Sequence, residues 1–95
     1  MTQAELRHHH HDQVRYVAYV LWLIGYSYET IGKVLQLKRS QVGGIIDRSE
    51  YAGRSSMGFA QRAELLKELQ AIRYEDGQPI DGGVLDRVPF QILRD

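Results

Sequence analysis

The chain has 95 residues, enough for one small domain with a single core. Twelve Lys and Arg residues balance twelve Asp and Glu residues, and there is no cysteine, which excludes disulfides and thiolate metal sites and fits a reducing compartment. No signal peptide is evident, and the longest apolar run, residues 16–24, is far shorter than the roughly 20 residues of a membrane helix. We expect a cytoplasmic protein, nucleoid-associated if it binds DNA, with no membrane partner.

Residues 1–13 form an N-terminal extension that contains a histidine run, His8 to His11. Consecutive helix positions point in different directions, and no cysteine or second histidine group completes a metal site. We therefore expect no native metal and no cofactor, and the run resembles an affinity-tag fragment as much as a native segment.

Residues 14–56 have the spacing of a helix-turn-helix. An apolar helix stops at Gly25, the residue most often used just past a helix end, and Ser27 occupies the N-cap position of the next helix. Ile31, Val34 and Leu35 then recur at three- and four-residue steps, which predicts one buried face.

The second half of this segment supplies the other helix of the motif. Gly32 is a small residue at which another helix could cross, and Leu37 is the apolar turn residue. Val42, Ile45 and Ile46 form the next buried stripe. These positions predict a tri-helical core whose last helix can be laid into the DNA major groove.

The pattern resembles the amino-terminal domain of the GcrA cell-cycle regulator family and, more loosely, helix-turn-helices of the resolvase and sigma-region-4 types. The family opening L-W-x-x-G-x-S is matched by Leu21, Trp22, Gly25 and Ser27. Its second helix, I-A-x-x-L, is matched by Ile31, Gly32 and Leu35. Its recognition helix, R-x-x-V-x-G-x-V-x-R, is matched by Arg39, Val42, Gly44, Ile46 and Arg48.

The resemblance covers about residues 14–54 and implies sequence-specific binding of double-stranded DNA in transcription control. Two positions depart from such motifs. Gln36 stands where the turn usually has Gly, and is predicted to be strained if its φ is positive. Lys38 stands where a Ser or Thr cap is usual.

Positive charge is concentrated around the predicted recognition helix. Residues 33–62 carry a net charge of plus four, whereas residues 63–95 carry minus three. This segregation is typical of a nucleic-acid footprint, although windows of this size also fluctuate in ordinary sequences. The predicted DNA-binding residues are Lys33, Lys38, Arg39, Ser40, Gln41, Gly43, Gly44, Arg48 and Arg54.

Their roles follow from the geometry of the motif. Arg39 is predicted to pair with a guanine and Gln41 with an adenine. Lys33 and Arg48 are assigned to phosphates, and Arg54 to a phosphate or a minor groove reached by a flexible arm, residues 51–56. Each of these side chains has a solvated surface role as its alternative.

Gly43 and Gly44 are the unusual pair of the predicted recognition helix. Two glycines inside a helix cost about 1 kcal/mol each relative to Ala, so they need compensation. They either present bare backbone to DNA, with room for a base methyl group, or allow close packing against another helix.

The rest of the chain predicts a fourth helix, residues 57–76, and an extended tail, residues 77–95. Leu65, Leu66, Leu69 and Ile72 share one helical face. Asp76-Gly77 is expected to end the helix, and Gln78-Pro79 to turn the chain. The alternation of Val88, Phe90 and Ile92 predicts an extended segment, and Asp76, Asp81 and Asp86 are read as solvated turn residues.

The expected fold class is therefore all-α: a tri-helical helix-turn-helix core, a fourth helix and a largely non-helical tail. The run at 16–24 is apolar around its whole circumference, so it must be covered on both sides. The carboxy-terminal half or another subunit supplies the second cover, and a homodimer is the default because such proteins often read two half-sites.

No nucleophile–base pair, glycine-rich phosphate loop or pair of spaced carboxylates is present, so we expect no enzyme. The leading hypothesis is a DNA-binding transcription regulator or an accessory factor of a phage or mobile element. The alternative is an assembly module with a helix-turn-helix shape, such as a small terminase-like packaging subunit or an adaptor of RNA polymerase.

Overall fold

A computed structural model describes residues 13–93, and the histidine run at 8–11 lies outside the described residues. The elements in chain order are α1 (Gln13–Ile24), α2 (Tyr28–Leu35), α3 (Arg39–Asp47), a short 3-10 turn (Arg54–Ser56), α4 (Phe59–Ala71), β1 (Tyr74–Glu75) and β2 (Gln78–Pro79). The predicted all-α class, with four helices and a largely non-helical tail, is confirmed. None of the helices in this range has the length and apolar character needed to cross a membrane.

Helix α1 is the centre of the domain. Its residues from Tyr16 to Leu21 are buried, as are Leu23 and Ile24. Helices α2 and α3 contact α1, and α4 also packs against it. The carboxy-terminal half of the same chain therefore covers the apolar helix. The all-round apolar character of α1 no longer argues for a second subunit.

The end of α1 follows the prediction. Gly25 has a φ of 131°, and its N–H and that of Tyr26 both donate to the carbonyl of Leu21, at 3.2 and 3.1 Å. Ser27 caps α2, since its hydroxyl accepts a hydrogen bond from the Thr30 N–H at 3.2 Å. Both predictions are confirmed. Each depends only on local geometry, the positive φ of Gly25 and the N-cap hydroxyl of Ser27.

The turn between α2 and α3 explains Gly32. A Cβ built on Gly32 would lie 2.6 Å from the backbone oxygen of Leu37, a separation that no side chain tolerates. The predicted close approach is real, but the turn backbone makes it rather than a crossing helix.

The expected strain at Gln36 is present. Its φ of 58° and ψ of 44° put it in the left-handed region, where its N–H donates to the Gly32 carbonyl. A side chain there costs about 1 kcal/mol relative to glycine.

We expect Gln36→Gly to raise the free energy of unfolding by about 0.5–1 kcal/mol, because glycine adopts the left-handed conformation without strain. The greater entropy of the unfolded chain with glycine offsets part of this gain. Thermal and urea unfolding measure the change. The control is Lys67→Gly, in the exposed interior of α4, which we expect to lower stability by about 1 kcal/mol. If Gln36→Gly destabilises the protein as the control does, the backbone of Gln36 is not strained.

One predicted core position is wrong. Ile31 is fully buried, but Val34 is 48% exposed. Ile31 faces α1, whereas Val34 lies at the edge of that face and lines an apolar cleft with Leu21, Tyr26, Thr30 and Val88. The three- and four-residue spacing gave the correct side of the helix without showing how far the neighbouring elements extend over it.

Helix α4 is shorter at both ends than predicted. It begins at Phe59 after a Gly58 N-cap and ends at Ala71. Asp76 and Gly77, with φ values of 53° and 79°, then form the two-residue turn of a β1–β2 hairpin. The assignment of Asp76-Gly77 as a helix end and Gln78-Pro79 as a turn is wrong, since two consecutive positive φ values are those of a type I′ hairpin turn.

The tail is a series of tight turns docked on the core. Val88, Phe90 and Ile92 form no strand, so the alternating pattern over these residues does not produce the predicted extended element. Ile92 is buried, and the Leu93 N–H donates to the Ile24 carbonyl at 2.8 Å. Of the three fates open for this segment, the structure shows docking on its own core.

A buried ion pair fixes the start of this tail. Arg73 holds Asp81 in two hydrogen bonds, of 2.9 and 3.1 Å, and also contacts Asp86 at 2.6 Å. Asp81 is fully buried and accepts a further hydrogen bond from the Leu85 N–H. The prediction that these acidic residues are solvated is therefore wrong for Asp81. Burial raises its pKa, but the bonds from Arg73 and the Leu85 N–H outweigh it and lower the pKa below the usual value.

Candidate nucleic-acid interface

Helix α3 presents one short, polar face to solvent. Val42, Gly43 and Ile46 are buried on its inner side. Because neighbours on a helix surface are three, four and seven residues apart, the outer side forms one continuous patch. We call it the α3 outer face; its residues are Ser40, Gln41, Gly44, Asp47 and Arg48.

The two glycines of α3 have different surroundings. A Cβ on Gly43 would lie 3.4 Å from the ring of Tyr28, so this residue allows close packing against α2. A Cβ on Gly44 would meet only the guanidinium of Arg48, at 3.4 Å. The two alternatives left open by the sequence are thus divided: Gly43 serves internal packing, and Gly44 lies in the outer face.

Only one of the two side-chain hydrogen bonds of a capping box is present at the start of α3. Lys38 occupies the N-cap position and its side chain has no oxygen to accept a hydrogen bond, so the usual Ser or Thr contribution is missing. Gln41 compensates, because its Oε1 accepts from the Lys38 N–H at 2.9 Å. Pairing of Gln41 with an adenine would require this oxygen to share its second lone pair or to leave the cap.

Three of the cations predicted to bind DNA, Lys33, Lys38 and Arg39, are exposed to solvent. Arg39 and Lys38 are exposed, and neither side chain forms a hydrogen bond or ion pair with another residue in the range 13–93. Lys33 lies 3.7 Å from Glu29 in an exposed pair. Such a pair contributes little in water and can open for a phosphate.

A shallow groove runs along the outer face. Its volume is about 440 Å³, and its lining residues are Val14, Leu37, Ser40, Gln41, Gly44, Ile45 and Arg48. One wall is therefore aliphatic and the other polar. The aliphatic wall is formed by Val14 in the first turn of α1, Leu37 in the α2–α3 turn and Ile45 of α3.

Arg54 is not on a flexible arm. Its Nη1 donates to the carbonyls of Trp22 and Tyr26, at 2.9 and 2.8 Å, and its guanidinium lies 3.5 Å from the centre of the Trp22 ring. Arg62 donates in the same way to the Leu23 carbonyl at 2.7 Å. Two arginines thus satisfy carbonyls left over at the end of α1, where positive charge also interacts favourably with the negative end of the helix dipole.

This placement corrects the role expected for Arg54. The backbone at 54–56 is a 3-10 turn, and partial burial together with neighbouring Arg62 lowers the pKa of Arg54. Phosphate contact would require Arg54 to leave two carbonyl partners, so its role in the structure is to hold the end of α1. The positive charge counted in the window 33–62 is correspondingly less available to DNA.

Sequence reasoning missed two residues of this region, Tyr28 and Asp47. The Tyr28 ring stacks on Trp22 with centroids 4.8 Å apart, and its hydroxyl donates to Asp47 Oδ1 at 3.3 Å. Trp22 in turn donates from Nε1 to the Tyr51 carbonyl at 2.8 Å. The sequence offered no signal for this contact. Tyr28 and Asp47 are 19 residues apart, and only the packing of α2 against α3 brings them together.

Neither family models, curated proteins nor solved structures gave a match to this chain. The resemblance to the GcrA family therefore stays a prediction made from the residues of the 14–54 segment. Among the residues at 13–93, no three His, Cys, Asp or Glu side chains are grouped closely enough to hold a metal ion.

Proposed function

We propose that this protein binds double-stranded DNA with some sequence preference, by laying the α3 outer face into the major groove. The observation that carries the proposal is the composition of that face. It has a short side chain at Ser40 and none at Gly44, with Arg48 and the unengaged Arg39 beside them. A helix that is bare in the middle and has an arginine near each end can approach base edges closely while its arginines contact phosphate or guanine.

The packing of the three helices supports the same function. Helices α2 and α3 pack directly against each other, and both contact α1. In helix-turn-helix proteins this arrangement holds the recognition helix by its inner face and leaves the outer face to the groove. Transcription control, or accessory work for a phage or mobile element, is the cellular role we attach to this activity. A homodimer reading two half-sites remains the proposed assembly.

A salt series tests the proposal. We expect the affinity for random-sequence duplex to fall steeply between about 50 and 200 mM salt, because each phosphate contact releases counterions. Arg39→Ala should weaken binding about 10- to 100-fold at low salt, corresponding to about 1–3 kcal/mol. Arg87→Ala is the control, since it removes the same charge from an exposed position in the tail. Equal effects of the two variants, or no duplex binding at low salt, would refute the proposal.

Gly44→Ala should separate folding from binding. We expect it to stabilise the protein by about 0.5–1 kcal/mol, because alanine is the better helix former and only the mobile end of Arg48 must give way. The same variant should bind duplex about 10-fold more weakly, since the methyl group holds α3 away from the bases. Unfolding curves and fluorescence anisotropy measure the two effects. Gain of stability with unchanged affinity would place Gly44 outside the interface.

The assembly-module alternative has one observation in its favour. The apolar cleft lined by Leu21, Tyr26, Thr30, Val34 and Val88 has almost no polar surface and a volume of about 170 Å³. A packaging subunit or a polymerase adaptor could use such a cleft for a partner side chain. Mass measurement by light scattering, with Val34→Ser beside wild type, tests this candidate: an oligomer that Val34→Ser dissociates, in a protein that binds no duplex at low salt, would favour it.

A further inference from the structure

The outer face of α3 contains a carboxylate that a simple DNA-binding surface does not need. Asp47 is exposed and lies seven residues after Ser40, in the same row of the helix surface and about 10 Å further along it. Phosphates repel a carboxylate, so Asp47 without a base partner would lower the affinity for DNA. An acidic group at this position needs a contact that offsets the repulsion.

Tyr28 supplies one hydrogen bond that orients the exposed Asp47 carboxylate. Tyr28 Oη donates to Asp47 Oδ1 at 3.3 Å, and the Tyr28 ring is stacked against Trp22. The Tyr28 ring also lies beside the buried Gly43, where a Cβ would be 3.4 Å from the ring. A half-buried tyrosine, stacked on a half-buried tryptophan, thus contacts one exposed carboxylate.

The hydrogen-bonding capacity of Asp47 is only partly used. Within residues 13–93 it forms no ion pair, and Oδ2 has no donor. Partial burial and the neighbouring Asp47 charge raise the pKa of Tyr28, so its hydroxyl stays a donor throughout the physiological range. The free oxygen is an acceptor held at the surface that α3 would present to base edges.

We propose that Asp47 is a specificity-determining residue that accepts a hydrogen bond from an exocyclic amino group in the major groove, with Tyr28 as its positioning residue. This inference rests on the proposed DNA binding. Cytosine N4 and adenine N6 both present such an amino group, and carboxylates pair characteristically with cytosine N4. Cytosine is therefore the base we assign.

Selection of bound duplexes from a randomised library, followed by affinity measurement on the selected site and its single-base variants, tests the assignment. Wild type should require cytosine at one position, with about a 10- to 100-fold loss for any other base. Asp47→Asn should bind random-sequence duplex more tightly and shift the preference at that position towards adenine, because an amide pairs with adenine N6 and N7. A wild-type requirement for adenine would overturn the assignment of cytosine.

Two further variants separate base recognition by Asp47 from a general effect of negative charge and from an effect on folding. Glu64→Gln removes a negative charge from exposed α4 and should leave base preference unchanged. Tyr28→Phe keeps the stacked ring and removes only the hydroxyl, so it should reduce discrimination at the same position several-fold with little change in unfolding temperature. Sequence-selective binding in which Asp47→Asn leaves every base preference unchanged would overturn this inference and leave the proposed function intact. Absence of duplex binding by wild type would overturn both.

Discussion

Arg73→Met is expected to lower the free energy of unfolding by about 3–5 kcal/mol, the largest single effect we predict. The substitution leaves the carboxylate of Asp81 fully buried with no opposite charge, and breaking one side of a buried pair costs that much. A domain of this size has a total stability of about 5–10 kcal/mol, so the variant should be partly unfolded at 37 °C. Urea unfolding followed by circular dichroism measures the loss.

A second substitution distinguishes lost charge pairing from lost packing. Asp81→Asn added to Arg73→Met removes the buried charge and keeps an acceptor for the Leu85 N–H. We expect the double variant to be more stable than Arg73→Met alone, because the uncompensated carboxylate is gone. Additive losses would show that Arg73 acts through its packing against the tail rather than through Asp81.

The same pair gives the protein an acid-sensitive element. The pKa of Asp81 is lowered in the folded state, so its contribution to stability is complete above the usual value of 3.8 and is lost as the pH falls through the lowered pKa. Unfolding free energies measured between pH 6 and pH 2 should fall more steeply for wild type than for Asp81→Asn. Parallel curves would exclude Asp81 as the titrating group.

Arg54→Ala is expected to lower stability by about 3 kcal/mol. The substitution removes two charged hydrogen bonds to carbonyls at the end of α1 and the contact with the Trp22 ring. Thermal unfolding measures the loss, and near-ultraviolet circular dichroism reports the Trp22 environment.

Arg54→Lys separates this structural role from phosphate binding. Lysine keeps the positive charge but lacks the planar group that lies over Trp22 while bonding two carbonyls. A structural arginine predicts that Lys still loses about 1–2 kcal/mol of stability. Wild-type stability for both Arg54→Ala and Arg54→Lys, with weakened duplex binding for Ala alone, would restore the phosphate role that the sequence suggested.

Local signals in the sequence predicted the end of α1 and the start of α2. Gly25 and Ser27 work through their own backbone and side-chain geometry, and the strain at Gln36 follows from its place in the turn. The Asp76-Gly77 turn is an equally local signal, but the strong helical pattern before it favours a helix end at the same residues. A competing signal, rather than a missing one, produced that error.

The features that were not predictable depend on contacts across the fold. Asp81 looks like any turn aspartate until Arg73 is brought beside it by the hairpin. Arg54 looks like a free cation until the end of α1 supplies two carbonyls, and Asp47 acquires a partner only when α2 packs on α3. Charge counts along the sequence could not separate engaged arginines from available ones.

Chemical-shift mapping by NMR tests most directly whether the α3 outer face is the DNA-binding surface. Titration of the labelled protein with duplex at low salt should shift the backbone amides of 38–48, including Gly44, and leave those of the tail at 80–93 unchanged. Shifts concentrated around the apolar cleft at Val34 and Val88, or no shifts at any duplex concentration, would contradict the proposal.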